Sequence, residues 1–391
     1  MPVTDVQVID ALRPVNDPEI GKSIVDLGMV KQVVVEGSTV MVTVALTVAG
    51  CPLKAEITKR VTEATAALDG VSDVKVDLTV MAPEELEALR AKIGGHSHGA
   101  DQGGGHSFAQ GRGGDAPDIS FNRPGSKTRV LAITSGKGGV GKSSVTVNLG
   151  VALAKLGKDV ALMDADIYGF SIPKMLNADI QPTVLDEEEK IILPIAAHGL
   201  RIISAGNFMP DDQAMLWRGP MLHQMLREFL TRVFWGEPDY LLVDMPPGTG
   251  DIALSVAQYL PSAEVYVVTT PQAAAQRVAQ RSALMARNER IGQPVMGVIE
   301  NMSWFTGDDG KRYELFGSGG GQSLADDLEV PLLAQLPLVP ALREGGDAGL
   351  PITVSDPAGE AAQAFDALAK QIEATPPPKP RQVFRPELKI S

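Results

Sequence analysis

Two α/β domains are expected in this chain: a small α-β-β-α-β unit, then a larger domain on a doubly wound, mostly parallel sheet. Three observations carry this. From Arg129 onward, near-continuous apolar runs alternate with helical stretches, the pattern of parallel strands covered on both faces. A glycine-rich turn joins the first of those runs to the first of those helices, at the strand end where such sheets bind ligands. A glycine- and histidine-rich stretch separates this region from an N-terminal part with its own strand pattern. The expected boundaries are 1–92 for the first domain, 93–128 for a flexible linker, 129–374 for the second domain and 375–391 for a disordered, proline-rich tail.

In the first domain, Val6, Ile9, Leu12 and Val15 recur at helical spacing, and Asn16-Asp17-Pro18 stops the helix. Met29 to Val35 and Val40 to Leu46 alternate as half-buried strands around Glu36-Gly37-Ser38. Leu53 to Leu68 reads as a helix ended by Gly70, and Val71 to Val80 alternates as a third strand. Cys51 lies where the second helix begins. A helix N-terminus stabilises thiolate, so a reactive or metal-ligating thiol is one reading. A small buried hydrophobe is the other.

The linker has no hydrophobic period and cannot offset its ordering entropy by burial. His96, His98 and His106 lie in it without anything to set metal geometry. In the second domain, strands are expected at Val130–Thr134, Val160–Asp164, Arg201–Ala205, Tyr240–Asp244, Val265–Thr269, Val295–Glu300 and Leu332–Leu336.

Gly136-Lys137-Gly138-Gly139-Val140-Gly141-Lys142-Ser143 fits G-x-x-x-x-G-K-[ST] between a strand and a helix. Glycines let backbone N–H groups close on a polyphosphate. The helix beginning near Ser144 adds its positive end. Lys142 is placed to reach the β- and γ-phosphates, and the Ser143 hydroxyl to ligate Mg²⁺. Asp244 ends an apolar strand and is the expected second Mg²⁺ residue. Pro246-Pro247-Gly248-Thr249-Gly250 suits a loop that responds to a γ-phosphate. Asp164 and Asp251 are open between site and strand-end or cap chemistry. Asn301 can pair both edges of adenine or simply form a turn.

The chain has 391 residues, 44% hydrophobic and 21% charged, with a net charge of −13. That length accommodates two cores. The acidity argues against nucleic acid or an anionic membrane as partner. No apolar run is long enough to span a bilayer. The opening residues Met1-Pro2-Val3-Thr4-Asp5 lack a signal-peptide pattern, so a cytoplasmic location is expected. With one cysteine, no intrachain disulfide can form.

Lys137 is surplus to an ordinary phosphate loop. K-G-G-x-G-K-[ST] resembles the deviant Walker A loop of the MinD/ParA-type ATPases. The resemblance implies that Lys137 reaches a partner subunit's nucleotide in an ATP-dependent homodimer. It also implies that Asp166 orients or activates the attacking water and that Asn301 reads the base. Asp17-Pro18-Glu19, Val25 to Val30 and Thr47 to Pro52 resemble the MIP18-type domain associated with iron–sulfur protein maturation. With Asp164 to Gly169, Trp217 to Met221, Asp244 to Asp251 and Glu300 to Ser303 in order, nearly the whole chain resembles the Mrp/ApbC-type iron–sulfur cluster carrier ATPases. That implies a P-loop ATPase that binds ATP with Mg²⁺, carries a [4Fe–4S] cluster, and serves apo-protein clients and assembly factors. Family members carry Cys-x-x-Cys after the Glu-Asn-Met-Ser segment; here Trp304 to Tyr313 contains no cysteine. A [4Fe–4S] cluster takes four thiolates, and two copies of Cys51 supply two. A MinD/ParA-like spatial organiser and a nucleotide-gated scaffold without a cluster are the competing readings.

Overall fold

The structure is a computed structural model that describes residues 3–47, 54–82, 84–86, 88–89, 118–123, 125–185, 191–209, 219–288 and 291–378. Cys51, the three linker histidines, Trp217 and Arg218 lie outside the described residues. The chain divides into two compact units.

The first unit follows the expected order. Helix α1 (Asp5–Leu12) precedes β1 (Val30–Glu36) and β2 (Thr39–Leu46); α2 (Lys54–Ala66) and β3 (Asp73–Val80) follow. β1 runs antiparallel to β2, and β3 parallel to it. Helix α1 departs from the expected stripe. Val8 and Leu12 are its buried residues, while Val6 is exposed. A capping box between Thr4 and Gln7 sets its start. Its last residue is Leu12, so Val15 packs from outside the helix. Residues 182–196 and 232–236, which fall within the expected second domain, cluster with this first unit. Leu185 and Leu193 join a core of Val8, Ile24, Val42 and Ile57.

The second unit holds the larger sheet, with all seven expected strands: β4 (Arg129–Ser135), β5 (Val160–Asp164), β7 (Leu200–Ser204), β8 (Tyr240–Asp244), β9 (Glu264–Thr269), β10 (Val295–Glu300) and β13 (Leu332–Gln335). A short β6 (Ile195–Ala197) completes eight, in the order β13-β10-β9-β4-β8-β5-β7-β6. The seven pair in parallel. β4, which feeds the glycine-rich turn, lies between β8 and β9. Ile133 pairs with Asp244, and Asp244 with Asp164. Register thus brings two aspartates to the same end of the sheet as the turn.

The main helices of this unit are α3 (Lys142–Lys155), α4 (Ile172–Met175), α5 (Gly219–Arg232), α6 (Asp251–Tyr259), α7 (Ala273–Arg287), α8 (Gly320–Asp327), α9 (Pro340–Asp347), α10 (Ile352–Ser355) and α11 (Glu360–Ala374). A small hairpin pairs β11 (Phe305–Thr306) with β12 (Arg312–Tyr313). At the opposite end of the sheet, Arg129 grips Glu264 with two nitrogens at 2.9 and 2.7 Å and donates to Ile372 O on α11 at 2.9 Å. Such a forked, buried pair locks the last helix onto the sheet.

Candidate functional site

The glycine-rich turn needs glycine for two different reasons. A Cβ on Gly136 would stand 2.1 Å from the Ala279 backbone nitrogen on α7. Gly141 sits at φ +79° as the N-cap of α3, a region costly for other residues.

Three side chains converge on Asp244. Lys142 Nζ donates to Asp244 Oδ2 at 2.6 Å, and Ser143 Oγ donates to the same oxygen at 2.6 Å. Thr146 Oγ1 lies 2.7 Å from Asp244 Oδ1. Lys142 Nζ is also 3.5 Å from Asp166 Oδ2. Asp164 accepts from Ser204 Oγ at 3.0 Å and from the Asp166 backbone N–H at 3.1 Å. Asp164 and Asp244 are fully buried. Burial, then the neighbouring Asp244 carboxylate, push the Asp164 carboxyl up to about 8, against Lys142 and Ser204. Burial likewise raises Asp166, opposed by Lys142. Three carboxyl groups thus surround one ammonium, and burial favours a proton on Asp164. The hard oxygens of Asp244 and Ser143, 2.6 Å apart, fit Mg²⁺.

Of the expected site residues, the structure brings Lys142, Ser143, Asp166 and Asp244 together. Lys137 instead donates to Gln272 Oε1 at 3.1 Å, just before α7. The loop after β8 is tied to the loop strand by Gly248 N–H to Ser135 O at 2.8 Å. Gly250 caps α6, so Asp251 is its first helical residue rather than its cap.

Asn301 is 2% exposed. Its Nδ2 donates to Val140 O at 2.9 Å. Its Oδ1 is buried with no partner among the described residues. A cavity of about 470 Å³ opens here, lined by Gly141, Ser144, Phe170, Met302 and Leu338 as well as Asn301. A largely apolar wall that carries an amide, with the phosphate loop at the rim and charged Lys174, Asp179, Arg343 and Asp347 also in the lining, fits a nucleoside.

Thr146, Ser204 and Gln272 are the residues that sequence reasoning missed, and Glu300 stood in a quoted stretch without a role. Thr146 lies four positions after Lys142 on α3, a spacing that places both on one face. Glu300 is 1% exposed and accepts from Ser303 Oγ at 2.9 Å, Gln335 Nε2 at 2.8 Å and the Gly321 N–H at the start of α8. It anchors the backbone that presents Asn301.

Where the family resemblance leads one to look for paired thiols stands the β11–β12 hairpin. Trp304 Nε1, Thr306 Oγ1 and Arg312 all donate to Glu360, at 3.1, 2.9 and 2.8 Å. Among the described residues, no three His, Cys, Asp or Glu side chains converge to hold a metal ion. Nor is any helix among them long and apolar enough to cross a membrane.

Comparison with known proteins places the chain by family. The family described as NUBPL iron-transfer P-loop NTPase matches residues 126–373, and that described as iron-sulfur cluster assembly protein matches residues 5–78. The chain is 46% identical over 355 residues to the iron-sulfur cluster carrier protein of Mycobacterium leprae, spanning 89% of this chain and 87% of that one. It is 42% identical over 375 residues to the protein of the same description from a Synechocystis species, spanning 95% and 97%. A solved nucleotide-binding protein from Archaeoglobus fulgidus, in complex with ADP, is 36% identical and covers 57% of this chain and 87% of its own, with a TM-score of 0.50.

Proposed function

Because this chain belongs to the NUBPL iron-transfer P-loop NTPase family, we propose that it is an ATP-hydrolysing carrier or assembly factor that delivers iron–sulfur clusters to apo-proteins. The observation that carries the nucleotide half is the convergence of Lys142, Ser143 and Asp166 on and around Asp244. The relatives' description as cluster carriers supports the other half.

In this reading Lys142 leaves Asp244 for the β- and γ-phosphates when ATP enters. Ser143 and Asp244 would hold Mg²⁺, which would neutralise charge on the phosphates. Asp166 orients a water for attack on the γ-phosphorus and accepts its proton as the bond to the β–γ bridging oxygen breaks. Backbone N–H groups of residues 138–144 cradle the phosphates. The adenine lies in the cavity against Asn301. Lys137 leaves Gln272 to contact the nucleotide of a second copy, so ATP draws two subunits together and hydrolysis releases them.

The cluster is cargo. Two copies of Cys51 offer two thiolates, so the remaining ligands come from the donor, the client or an external thiol. A second reading is favoured by the absence of Cys-x-x-Cys from Trp304 to Tyr313: a nucleotide-gated scaffold that organises assembly without holding the cluster. ATP turnover by the wild type, lost in Lys142→Ala and Asp166→Asn, tests the enzyme. Iron and sulfide content after anaerobic reconstitution separates carrier from scaffold.

A further inference from the structure

The amide of Asn301 faces two ways. Its Nδ2 holds the carbonyl of Val140, inside the phosphate loop, at 2.9 Å. Its Oδ1 has no partner although it is buried, and the residue lines the cavity beside the loop. Leaving a buried amide oxygen unpaired is costly. A site that retains such a group is built for a donor that arrives from outside.

The loop is closely fitted to this side chain. A Cβ on Gly141 would stand 2.2 Å from Asn301 Nδ2. Asn301 itself cannot drift, because its backbone N–H donates to Thr269 O at 2.8 Å. The adjacent Glu300 is held by Ser303, Gln335 and Gly321. The amide is thus a fixed post, and Val140 and Gly141 are set against it.

We propose that Asn301 is a positioning residue for the phosphate loop, latching Val140 so that base recognition and phosphate binding act through one side chain. The proposal rests on the nucleotide-binding reading above. A donor on the base that satisfies Oδ1 fixes the amide plane, and the fixed plane holds Nδ2 on Val140 O. Val140 and Gly141 then keep their N–H groups directed at the phosphates. Base occupancy therefore stiffens the loop that carries the chemistry. A residue that only read the base would have no bearing on a ligand without one.

The test compares ATP with inorganic tripolyphosphate, each with Mg²⁺, by calorimetry on the full chain. Asn301→Leu preserves bulk and removes both polar atoms. The expected result is about tenfold weaker binding of both ligands, the scale of one lost buried hydrogen bond. Asn301→Ser, a smaller change, gives the same comparison should the leucine variant not fold; thermal melting reports folding for each. Gly141→Ala, which pushes the amide away, should weaken both ligands as well. An ATP-only loss, with tripolyphosphate binding unchanged, would overturn the latch while leaving base recognition standing. Wild-type protein that binds neither ligand would instead refute the nucleotide reading itself.

Discussion

Lys142 and Asp244 form a buried ion pair, with Nζ 2.6 Å from Oδ2 and side chains only 6% and 1% exposed. The same carboxylate takes the Ser143 and Thr146 hydroxyls. The phosphate-binding lysine is thus held by the residue proposed to hold Mg²⁺, and ligand entry must exchange these bonds.

Lys142→Met tests that pairing directly. It leaves Asp244 and Asp164 buried together without their cation. Breaking such a pair from one side costs about 3–5 kcal/mol. The chemical-denaturation midpoint of the nucleotide-free protein should fall accordingly, and calorimetry should detect no ATP binding. An unchanged midpoint would mean that the pair is not formed in solution.

Thr146 contributes a hydroxyl to Asp244 but lies behind the loop. Thr146→Val keeps its shape and removes the 2.7 Å bond to Oδ1. We expect kcat to fall about tenfold, the scale of one hydrogen bond to a charged group, with ATP affinity little changed. A change in affinity alone would place Thr146 in ground-state binding.

Glu19 in the first unit is 7% exposed. Burial, then the adjacent Asp17 carboxylate, raise it from 4.5 to about 7; burial raises Asp17 too. A carboxyl with a raised folded-state value binds more protons folded than unfolded. Its protonated form is therefore tolerated at low pH, and stability is lost as pH climbs from about 4.5 through about 7, on the order of 3 kcal/mol. Glu19→Gln should flatten that part of the stability curve, read from urea unfolding of the full chain at several pH values. An identical slope in wild type and variant would refute the assignment.

The β11–β12 hairpin hangs on one carboxylate, that of Glu360. Arg312 also stacks over the Trp304 ring at 4.2 Å. Glu360→Ala removes the acceptor for Trp304, Thr306 and Arg312 together. Amide exchange across Phe305–Tyr313 should quicken about tenfold or more. Protection that survives the change would show that backbone pairing alone holds the hairpin.

Seven strands of the sheet were legible because they are largely apolar runs of four to seven residues, two of which, β5 and β8, end in aspartate. Register then followed, and it is register that carries Asp164 and Asp244 to the loop. β6 and the β11–β12 hairpin were not legible, since strands of two or three residues have no period to read. The stripe of α1 was misjudged because the helix ends at Leu12, so Val15 is not on it, and Val8 and Leu12, one turn apart, form its buried face. Within the site, Lys142, Ser143 and Asp244 follow from the motif. Thr146, Ser204 and Gln272 do not, because each acts through a side chain distant in sequence. For Asn301 the position was readable but the Val140 bond was not. That bond joins residues 161 positions apart.

The most direct test of cluster carriage is iron and sulfide content after anaerobic reconstitution, with visible spectra, for wild type and Cys51→Ala. The carrier account predicts a stoichiometric cluster in the wild type that is lost in Cys51→Ala. Absence of iron and sulfide from both proteins, with ATP turnover intact, would contradict it and leave the nucleotide-gated scaffold.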